Sequence, residues 1–475
     1  MPLSALQSLA ARCWLRASPA LSGSVRQWRP PQSPHLPRLR ASSQNHGPIW
    51  RPTAILDEWV AKEARPISLR QLMVFGRSLT EPRLLSSANY VRTELPTRIA
   101  HRLRDMQQLP YAVVTNRHFS DVYDLYYYAF DTFRKVKEIK TLEDNDRFCK
   151  TISSMLQAHL TVIPKLAMGV LECGGLIDTE RLDKFMNTIL RSRISRRVIA
   201  EQHLALTEAF KSAGHSRGVN LSDSEFIGKV FLKCVARDVV ERCGRAIREI
   251  SQHTYGPDVT IPKIKIDGHL GASFPFIISH LEYIIGELLR NSVQAVVETH
   301  QREGRAGQPP PDIEVTICES QQHVIIRVSD QGGGIPREVL PYLWSFSKGP
   351  ASSRLLENLG KVPKMAATLQ ELSVENEAQS ASRSSQDTGS DDGAPLRGIT
   401  AGARSHVSSL ASLTSRPPNL RLGMGLPLSR VYAEYWAGSL VLHSLAGYGV
   451  DVFLQISKLG NKNEQLTTRA SIDAV

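Results

Sequence analysis

The hydrophobic pattern of the chain changes near Thr260, and this change restricts the possible folds more than any other feature. Across 53–255, apolar residues recur every three or four positions opposite charged residues, which predicts amphipathic helices packed as a bundle. After this point, short alternating or apolar stretches predict strands, and helices are predicted to begin near Leu281 and Leu426. The chain is therefore predicted to be α+β, with an α/β sandwich at 260–459 after the bundle. The predicted strands are 264–266, 313–317, 324–329, 439–444 and 452–456.

One segment of the second domain fits neither a helix nor a strand. Residues 347–431 contain no aromatic side chain, and the centre of this segment is rich in serine, aspartate and glycine. Such a composition buries too little apolar surface to offset the entropy lost on ordering. We therefore predict a disordered, mobile insertion at 349–419 and a flexible tail at 460–475.

The net charge of +12 is concentrated at the N-terminus. The first 56 residues hold seven arginines and no lysine, aspartate or glutamate, which leaves +5 for the rest of the chain. An amphipathic, arginine- and serine-rich leader of this kind is typical of a mitochondrial transit peptide, so residues 1–45 predict import into the mitochondrial matrix. A merely disordered tail is the alternative. Because the rest is weakly basic, nucleic acid is not a predicted partner, and no apolar run is long enough for a transmembrane segment.

The six cysteines do not form a recognisable site. None belongs to a CxxC pair, and they stand at positions 13, 149, 173, 234, 243 and 318. Zinc sites and disulfide frameworks both need closer and more regular spacing. The cysteines are therefore predicted to be free thiols of a protein in a reducing compartment.

The helix predicted at 282–298, EYIIGELLRNSVQAVVE, carries a carboxylate and a neutral amide one turn apart on its polar side. These are Glu287 and Asn291, at positions i and i+4. Taken alone, the pair fits a solvated face of an amphipathic helix, which is the commonest origin of such a pattern. The alternative is a site for a metal ion and a nucleotide, because a side-chain amide oxygen can bind a hard cation. The motifs further along the chain separate these two interpretations.

A predicted strand downstream of this helix ends in a carboxylate and a glycine cluster. In IIRVSDQGGGIP, residues 325–336, the strand leads into Asp330, which is followed by Gly332, Gly333 and Gly334. A carboxylate at the end of a strand can accept a hydrogen bond from an exocyclic amine, and glycines beside it allow positive φ and close approach of a ligand. An ordinary turn is the alternative for this motif by itself.

A second glycine motif precedes the last predicted helix. In LRLGMGLPLSRVYAEY, residues 420–435, Gly423 and Gly425 form a flexible joint, and Pro427 begins a helix where a missing N–H has no cost. The free N–H groups at a helix N-terminus bind phosphate oxygens. Because the predicted insertion ends at this joint, it is placed to act as a lid over phosphates. The turn AGYGVD, 446–451, then returns the chain to the sheet.

The order of these motifs is more specific than any one of them. It resembles the ATP-binding fold shared by DNA gyrase, the Hsp90 chaperones, histidine kinases and DNA mismatch-repair ATPases. Within that group, the sequence is most similar to the mitochondrial 2-oxo acid dehydrogenase kinases. The segments that carry this similarity are ANYVRTELPTRIAHRLRDMQQLP (88–110), SRISRRVIAEQHLAL (192–206), GHLGASFPFI (268–277), ELLRNSVQAVVE (287–298) and YAEYWAGSL (432–440).

The resemblance implies a function and a set of residue roles. Members of this family use ATP to phosphorylate a serine of the E1α subunit of the pyruvate or branched-chain 2-oxo acid dehydrogenase complex, which inactivates the complex. By this resemblance, Asn291 is expected to bind the Mg²⁺ that accompanies ATP, and Glu287 to act as base on the substrate serine or to orient it. Asp330 is expected to accept a hydrogen bond from the adenine amine. The other residues implied to bind the nucleotide are Gly332, Gly334, Ser347, Gly423, Gly425 and Leu426.

The resemblance also implies partners and ligands to which no residues are assigned. The family docks through its helical domain on the lipoyl domain of the E2 core, and small 2-oxo acids inhibit it through a pocket in that bundle. A homodimer is expected, and so is a K⁺ ion near the nucleotide.

The sequence departs from the usual family motifs at several positions. Where ELLKNAMRA is usual, Arg290 replaces lysine, Ser292-Val293 replaces Ala-Met and Gln294 replaces arginine. Arg421 stands where a glycine is expected, and Val450 lacks the hydroxyl of the usual GxGTD motif. Losing one uncharged hydrogen bond costs about 0.5–1.5 kcal/mol, so Val450 is predicted to weaken ATP binding rather than to abolish it.

Several fragments bear on which complex is the substrate. Tyr283 and the run FPFI favour the branched-chain type, because pyruvate dehydrogenase kinases of this family usually have histidine at the former position. HLAL after Gln202 favours it too, whereas Gln202-His203 is similar to the pyruvate type. The Asp-Trp pair that often joins the dimer partners of pyruvate dehydrogenase kinases is missing near the C-terminus. We therefore favour the branched-chain complex over the pyruvate complex.

Two other functions are compatible with the sequence. A histidine kinase needs a phosphorylated histidine, usually followed by an acidic residue, and the candidate His203 is followed by Leu204. A lone histidine in a helical bundle is more often a packed structural residue. A catalytically weak ATP-binding scaffold on the complex is the other alternative, and the departures at Gln294, Arg421 and Val450 motivate it.

Overall fold

The structure is a computed structural model of the chain, and it describes residues 53–212, 219–220, 225–305, 308–347, 355, 358–359 and 421–465. The leader predicted at 1–45, most of the insertion predicted at 349–419 and the end of the predicted tail lie outside the described residues.

The N-terminal part is helical because its apolar residues follow the helix period, and three of its described helices begin at capping residues. Ser68 and Gln71 form a reciprocal capping box at one helix start, and Thr141 and Asp144 form another. The side chain of Asn116 caps a third. Across both parts, the α-helices whose bounds the structure describes are α1 (Thr53–Val60), α2 (Leu69–Arg77), α3 (Glu81–Gln107), α4 (Tyr111–Val114), α5 (Arg117–Arg134), α6 (Leu142–Ala158), α7 (Val162–Glu172), α8 (Thr179–Ser212), α9 (Ala236–Tyr255), α10 (Ile278–Arg302) and α11 (Gly425–Tyr435).

The C-terminal part is a layer of helices on a five-stranded sheet. The strands among the described residues are β1 (Ser78–Leu79), β2 (Val219–Asn220), β3 (Phe226–Ile227), β4 (Val230–Val235), β5 (Ile264–Gly268), β6 (Ser273–Phe276), β7 (Ile313–Glu319), β8 (His323–Asp330), β9 (Ser439–Leu445) and β10 (Gly449–Ser457). The sheet has the order β5-β7-β8-β10-β9, in which only β5 and β7 are parallel. Helices α9, α10 and α11 contact β5, β8 and β9–β10 respectively. The predicted α+β fold, a helical part followed by a sheet-containing part, is confirmed.

The boundary between the helical part and the sheet-containing part lies earlier in the chain than predicted. The prediction of helices throughout 53–255 is wrong at β3 and β4, which form a three-stranded sheet with β6. Helix α9, predicted as part of the bundle, packs mainly against α10. Its apolar residues, such as Val239 and Ile247, are buried there. The helix period identifies an amphipathic helix, but it does not say which element covers the apolar face.

Single residues within the two segments predicted to be flexible are buried in the described structure. Glu464, in the predicted tail, is buried, accepts a hydrogen bond from the hydroxyl of Tyr435 and pairs with Arg98 at 2.9 Å between Oε1 and Nη1. Leu355 and Leu359, in the predicted insertion, are buried in the core. Composition averages over a segment, so it does not detect single residues that fill a site on a neighbouring surface.

The described cysteines are free thiols, as predicted. Burial raises the pKa of Cys234 to about 12, so this thiol stays protonated at neutral pH. Within the described ranges, no helix combines the length and the apolar character needed to cross a membrane.

Candidate active site

Helix α10 is buried on nearly all sides. Among residues 278–297, Asn291 is the only exposed one, whereas Glu287, Arg290 and Gln294 are buried. An amphipathic helix with a solvated polar face would expose these three side chains instead. The solvated-face interpretation is therefore wrong, and the buried polar groups need partners inside the protein.

Glu287 lies between a charged partner and a glycine. Its Oε1 atom is 3.5 Å from Nη1 of Arg290, one turn further along α10, and both side chains are buried. On another side is Gly425, the first residue of α11. A β-carbon at that position would stand 2.2 Å from Oε2 of Glu287. A side chain at position 425 would therefore require the carboxylate or the start of α11 to move.

Asp330 ends strand β8, and both oxygens of its buried carboxylate accept hydrogen bonds. Oδ1 accepts from the N–H of Gly332 at 3.0 Å, and Oδ2 accepts from the hydroxyl of Ser292 at 2.8 Å. Burial raises the pKa of Asp330, while these two donors and the N–H of Val450 oppose the shift by favouring the charged form. Since Ser292 follows Asn291 in α10, this contact brings Asp330 to the same turn of the helix.

The glycines that follow β8 serve packing as well as backbone conformation. A β-carbon on Gly332 would stand 2.5 Å from that of Ala295 in α10, so the missing side chain lets the loop lie against the helix. Gly334 has a φ of 76°, in a region where a side chain causes strain. The N–H of Gly333 donates to the carbonyl of Tyr448 at 3.0 Å, which joins the loop to the β9–β10 turn.

The start of α11 has the properties of an anion-binding site. Gly423 has a φ of 70°, and the half-buried Leu426 packs against the core. Met424, at the N-cap position, has no side-chain oxygen with which to accept from the first N–H groups of the helix. These N–H groups can therefore bind an anion next to Glu287.

Two of the departures from the family motifs meet at the end of α10. Gln294 donates to Oε1 of Glu298 at 2.7 Å, and Arg421 donates to Oε2 of the same carboxylate at 2.5 Å. The backbone carbonyl of Arg421 also accepts from Asn358 at 2.9 Å. The arginine in place of glycine thus ties the segment before α11 to α10.

Ser347 contacts Ser345 and follows a residue that is bonded to the helical part of the chain. Its hydroxyl lies 2.9 Å from that of Ser345, and the neighbouring N–H of Phe346 donates to Oδ1 of Asp183 in α8 at 2.8 Å. Of the residues predicted for the site, the contacts join Glu287 to Gly425, and Asp330 to Gly332 and α10.

The sequence motifs do not indicate what Arg290 and Ser292 do. Both stand out only as departures from the usual ELLKNAMRA, and the spacing of three residues is the single local signal for the pair of Arg290 with Glu287. The hydrogen bond from Ser292 to Asp330 joins residues 38 positions apart. A contact of that range becomes visible only in the folded chain.

A second feature of interest is a cavity inside the helical part, between α3, α5, α6 and α8. Apolar residues share its lining with Arg193, Arg196, Arg197 and His159. Burial, together with Arg196 and Arg193, lowers the pKa of His159 to about 3, so the imidazole is neutral. Three arginines around one cavity favour an anionic occupant.

Comparison with known proteins covers both parts of the chain. A family model described as mitochondrial branched-chain alpha-ketoacid dehydrogenase kinase matches residues 66–231, and one described as histidine kinase-, DNA gyrase B-, and HSP90-like ATPase matches residues 277–459. A relative from Saccharomyces cerevisiae, pyruvate dehydrogenase (acetyl-transferring) kinase 2, mitochondrial, is 33% identical over 433 residues, 87% of this chain and 86% of the relative. The chain belongs to the mitochondrial 2-oxo acid dehydrogenase kinase family.

Other relatives agree with this assignment. A mitochondrial pyruvate dehydrogenase kinase of Arabidopsis thaliana is 28% identical over 416 residues, which cover 86% of this chain and 94% of the relative. Pyruvate dehydrogenase (acetyl-transferring) kinase isozyme 4, mitochondrial, of Homo sapiens is 25% identical over 413 residues, which cover 84% of this chain and 82% of the relative. The protein is therefore an ATP-dependent protein kinase, and α10, β8 and α11 all lie within the part that matches the ATPase family model.

Proposed function

We propose that this kinase transfers the γ-phosphoryl group of ATP to a serine of the E1α subunit of a 2-oxo acid dehydrogenase complex, and thereby inactivates the complex. The arrangement along α10 supports this proposal. Glu287 touches the start of α11, Asn291 is exposed one turn further on, and Ser292 contacts Asp330. A triphosphate nucleotide bound along this helix would meet a carboxylate at each end and an amide between them.

The nucleotide is proposed to bind with its adenine at Asp330 and its phosphates at α11. The carboxylate of Asp330 accepts from the exocyclic amine, which distinguishes adenine from guanine because guanine has a carbonyl at that position. The N–H groups at the start of α11 donate to phosphate oxygens. The exposed amide of Asn291 fits a ligand of Mg²⁺, which when bound supplies positive charge to the phosphates.

Glu287 is proposed to receive the proton of the substrate serine. The serine oxygen bonds to the γ-phosphorus, the bond from that phosphorus to the oxygen of ADP breaks, and the hydroxyl proton passes to the carboxylate. Arg290 and the backbone of Gly425 restrict the position of this carboxylate. Position matters because the base must lie within hydrogen-bond distance of the hydroxyl.

We propose the pyruvate dehydrogenase complex as the first substrate to test, in place of the branched-chain preference predicted from sequence fragments. The relatives compared above are named pyruvate dehydrogenase kinases. Tyr283, a main ground for the branched-chain preference, is buried and packs against Tyr432 of α11, with ring centroids 5.3 Å apart. A residue packed inside the protein gives no direct contact with a protein substrate. The family model for 66–231 carries the branched-chain name, so both complexes belong in the test.

The other family ligands are proposed to bind away from the nucleotide. The arginine-lined cavity suits the carboxylate of a small 2-oxo acid inhibitor.

The helical part is proposed to dock on the E2 lipoyl domain in the mitochondrial matrix. Exposed Val441 and Leu445 on β9, the last strand of the sheet, favour a homodimer joined through this edge.

The geometry does not favour the histidine-kinase alternative. His203 is fully buried, and its ring nitrogens lie 3.1 Å from the hydroxyl of Ser87 and 2.9 Å from Oδ1 of Asn145. Burial lowers its pKa to about 4. A histidine enclosed in this way cannot reach the phosphate of a nucleotide, so it serves as a packed core residue.

Phosphorylation of recombinant E1α from each complex, by the purified full chain with Mg-ATP, tests the proposal. Labelled phosphate should survive acid treatment, because phosphoserine is acid-stable and phosphohistidine is not. Glu287→Gln is expected to lower the transfer rate at least about 100-fold while ATP still binds. Glu241→Gln, which changes an exposed glutamate on α9, is the matched control. ATP binding without transfer to either substrate would contradict the proposal and favour the scaffold.

A further inference from the structure

Ser292 donates to the carboxylate that the proposed function assigns to adenine. The two side chains are buried, with 3% of Ser292 and 5% of Asp330 exposed, and the hydroxyl lies 2.8 Å from Oδ2. The other oxygen accepts from the N–H of Gly332 at 3.0 Å. One of these donors belongs to a helix and the other to a loop, and the backbone N–H of Val450 also favours the charged form. Because Ser292 and Gly332 donate to different oxygens, together they set the plane of the carboxylate.

Strand β10 has no side-chain donor at the position that faces this carboxylate. Val450 pairs directly with Asp330 across the antiparallel β8–β10 ladder, so the two side chains project from the same face of the sheet. Valine cannot donate a hydrogen bond, whereas threonine has a similar shape and carries a hydroxyl. The side-chain donor that Val450 lacks is present on the helix that covers this face of the sheet.

We propose that Ser292 is a positioning residue of the nucleotide site, which holds the Asp330 carboxylate in the orientation that receives the exocyclic amine of adenine and replaces a hydroxyl that Val450 cannot provide. This inference rests on the proposed function, because it requires adenine to bind at Asp330. Without the Ser292 hydroxyl, Oδ2 is buried without this donor and the carboxylate can turn about its terminal bond. Contact with the amine then weakens. Conversely, valine at position 450 costs this chain little affinity as long as Ser292 is present.

Calorimetric titration of the full chain with ATP and with ADP tests this inference. Ser292→Ala is expected to raise the dissociation constants of both nucleotides about tenfold, because a hydrogen bond to a charged group is lost. Val450→Thr added to that variant is expected to restore most of the affinity, whereas Val450→Thr alone changes it less than about twofold. GTP, which has a carbonyl in place of the amine, is expected to bind all four proteins with similar, weak affinity.

Kinetics separate positioning from a general loss of structure. Ser292→Ala is expected to raise the KM for ATP about tenfold and to leave kcat within about twofold, since Glu287 and Asn291 are untouched. If alanine prevents folding, Ser292→Cys keeps the size of the side chain with a weaker donor, and it should raise the dissociation constants in the same direction.

Two results would overturn the inference while leaving the proposed function in place. One is equal ATP affinity of the wild type and Ser292→Ala, and the other is failure of Val450→Thr to restore affinity to the folded Ser292→Ala protein. A wild type that binds no ATP would overturn the proposed function and this inference with it.

Discussion

Gly425→Ala probes the close approach of α11 to Glu287 without removing the carboxylate. The new β-carbon would stand 2.2 Å from Oε2, whereas ordinary van der Waals contact begins at 3.4 Å, so the carboxylate or the helix must move by about 1.2 Å. A displacement near 1 Å costs about 100-fold in rate, which corresponds to about 2.7 kcal/mol of lost transition-state stabilisation. We therefore expect kcat toward E1α to fall about 100-fold.

The same substitution is expected to leave the fold intact. Gly425 is the first residue of α11 and does not have a positive φ, and alanine in place of glycine in a helix gains about 0.5–1 kcal/mol. Gly271→Ala is the matched control, because a β-carbon at Gly271 meets nothing within 4 Å. Initial rates of phosphate incorporation at saturating ATP, with an unfolding curve for each variant, measure the effect. Wild-type kcat in Gly425→Ala would refute the argument that this contact holds the catalytic carboxylate.

Two further substitutions separate binding from stability. Asp330→Asn is expected to weaken ATP binding about 10–100-fold in calorimetry. Because burial raises the pKa of Asp330, the folded protein disfavours its charged form, so the wild type should lose unfolding free energy relative to this variant as pH rises through that pKa. The pH dependence of this difference should vanish in acid, where the aspartate is protonated in both the folded and the unfolded state, and parallel pH profiles in urea denaturation would contradict this. Glu464→Ala is expected to lower the unfolding free energy by about 3 kcal/mol, because buried Arg98 loses a carboxylate partner. Glu303→Ala, which removes an exposed carboxylate, serves as its control, and a loss below about 1 kcal/mol in Glu464→Ala would show that 460–465 adds little stability.

The elements that carry the site were predictable because their signals are local. The helix period from Leu281, the alternation before Asp330 and the glycines before Leu426 each predict an element found close to its expected position. Strands β3, β4 and β6 have two, six and four residues, and they were missed because periodicity alone does not distinguish a short apolar run in a strand from one in a buried helix. The partner of α9 could not be predicted either, since an apolar face packs against any complementary surface.

The arrangement of the site was only partly predictable. The order of the motifs indicated that Glu287, Asn291 and Asp330 serve one ligand, but that inference came from the resemblance to a family and not from spacing alone. The burial of Glu287 and its contact with Gly425 depend on how α11 packs against α10. Gly425 lies 138 positions after Glu287 in the sequence, so no local pattern predicts this contact. The hydrogen bond from Ser292 to Asp330 was not predictable for the same reason, because it also joins two distant parts of the chain.

The amino-acid sequence by itself determined the periods of the helices and strands, the glycines that permit close approach, and the polar groups available to a nucleotide. Tertiary structure alone decided which of those groups are buried, which pair with one another, and that Ser292 supplies a hydroxyl to Asp330 opposite Val450. The physical reason is the distance along the sequence over which each kind of interaction acts. Propensity and periodicity arise from neighbours within one or two turns, whereas burial, ion pairing and pKa depend on elements that folding brings together from distant parts of the chain.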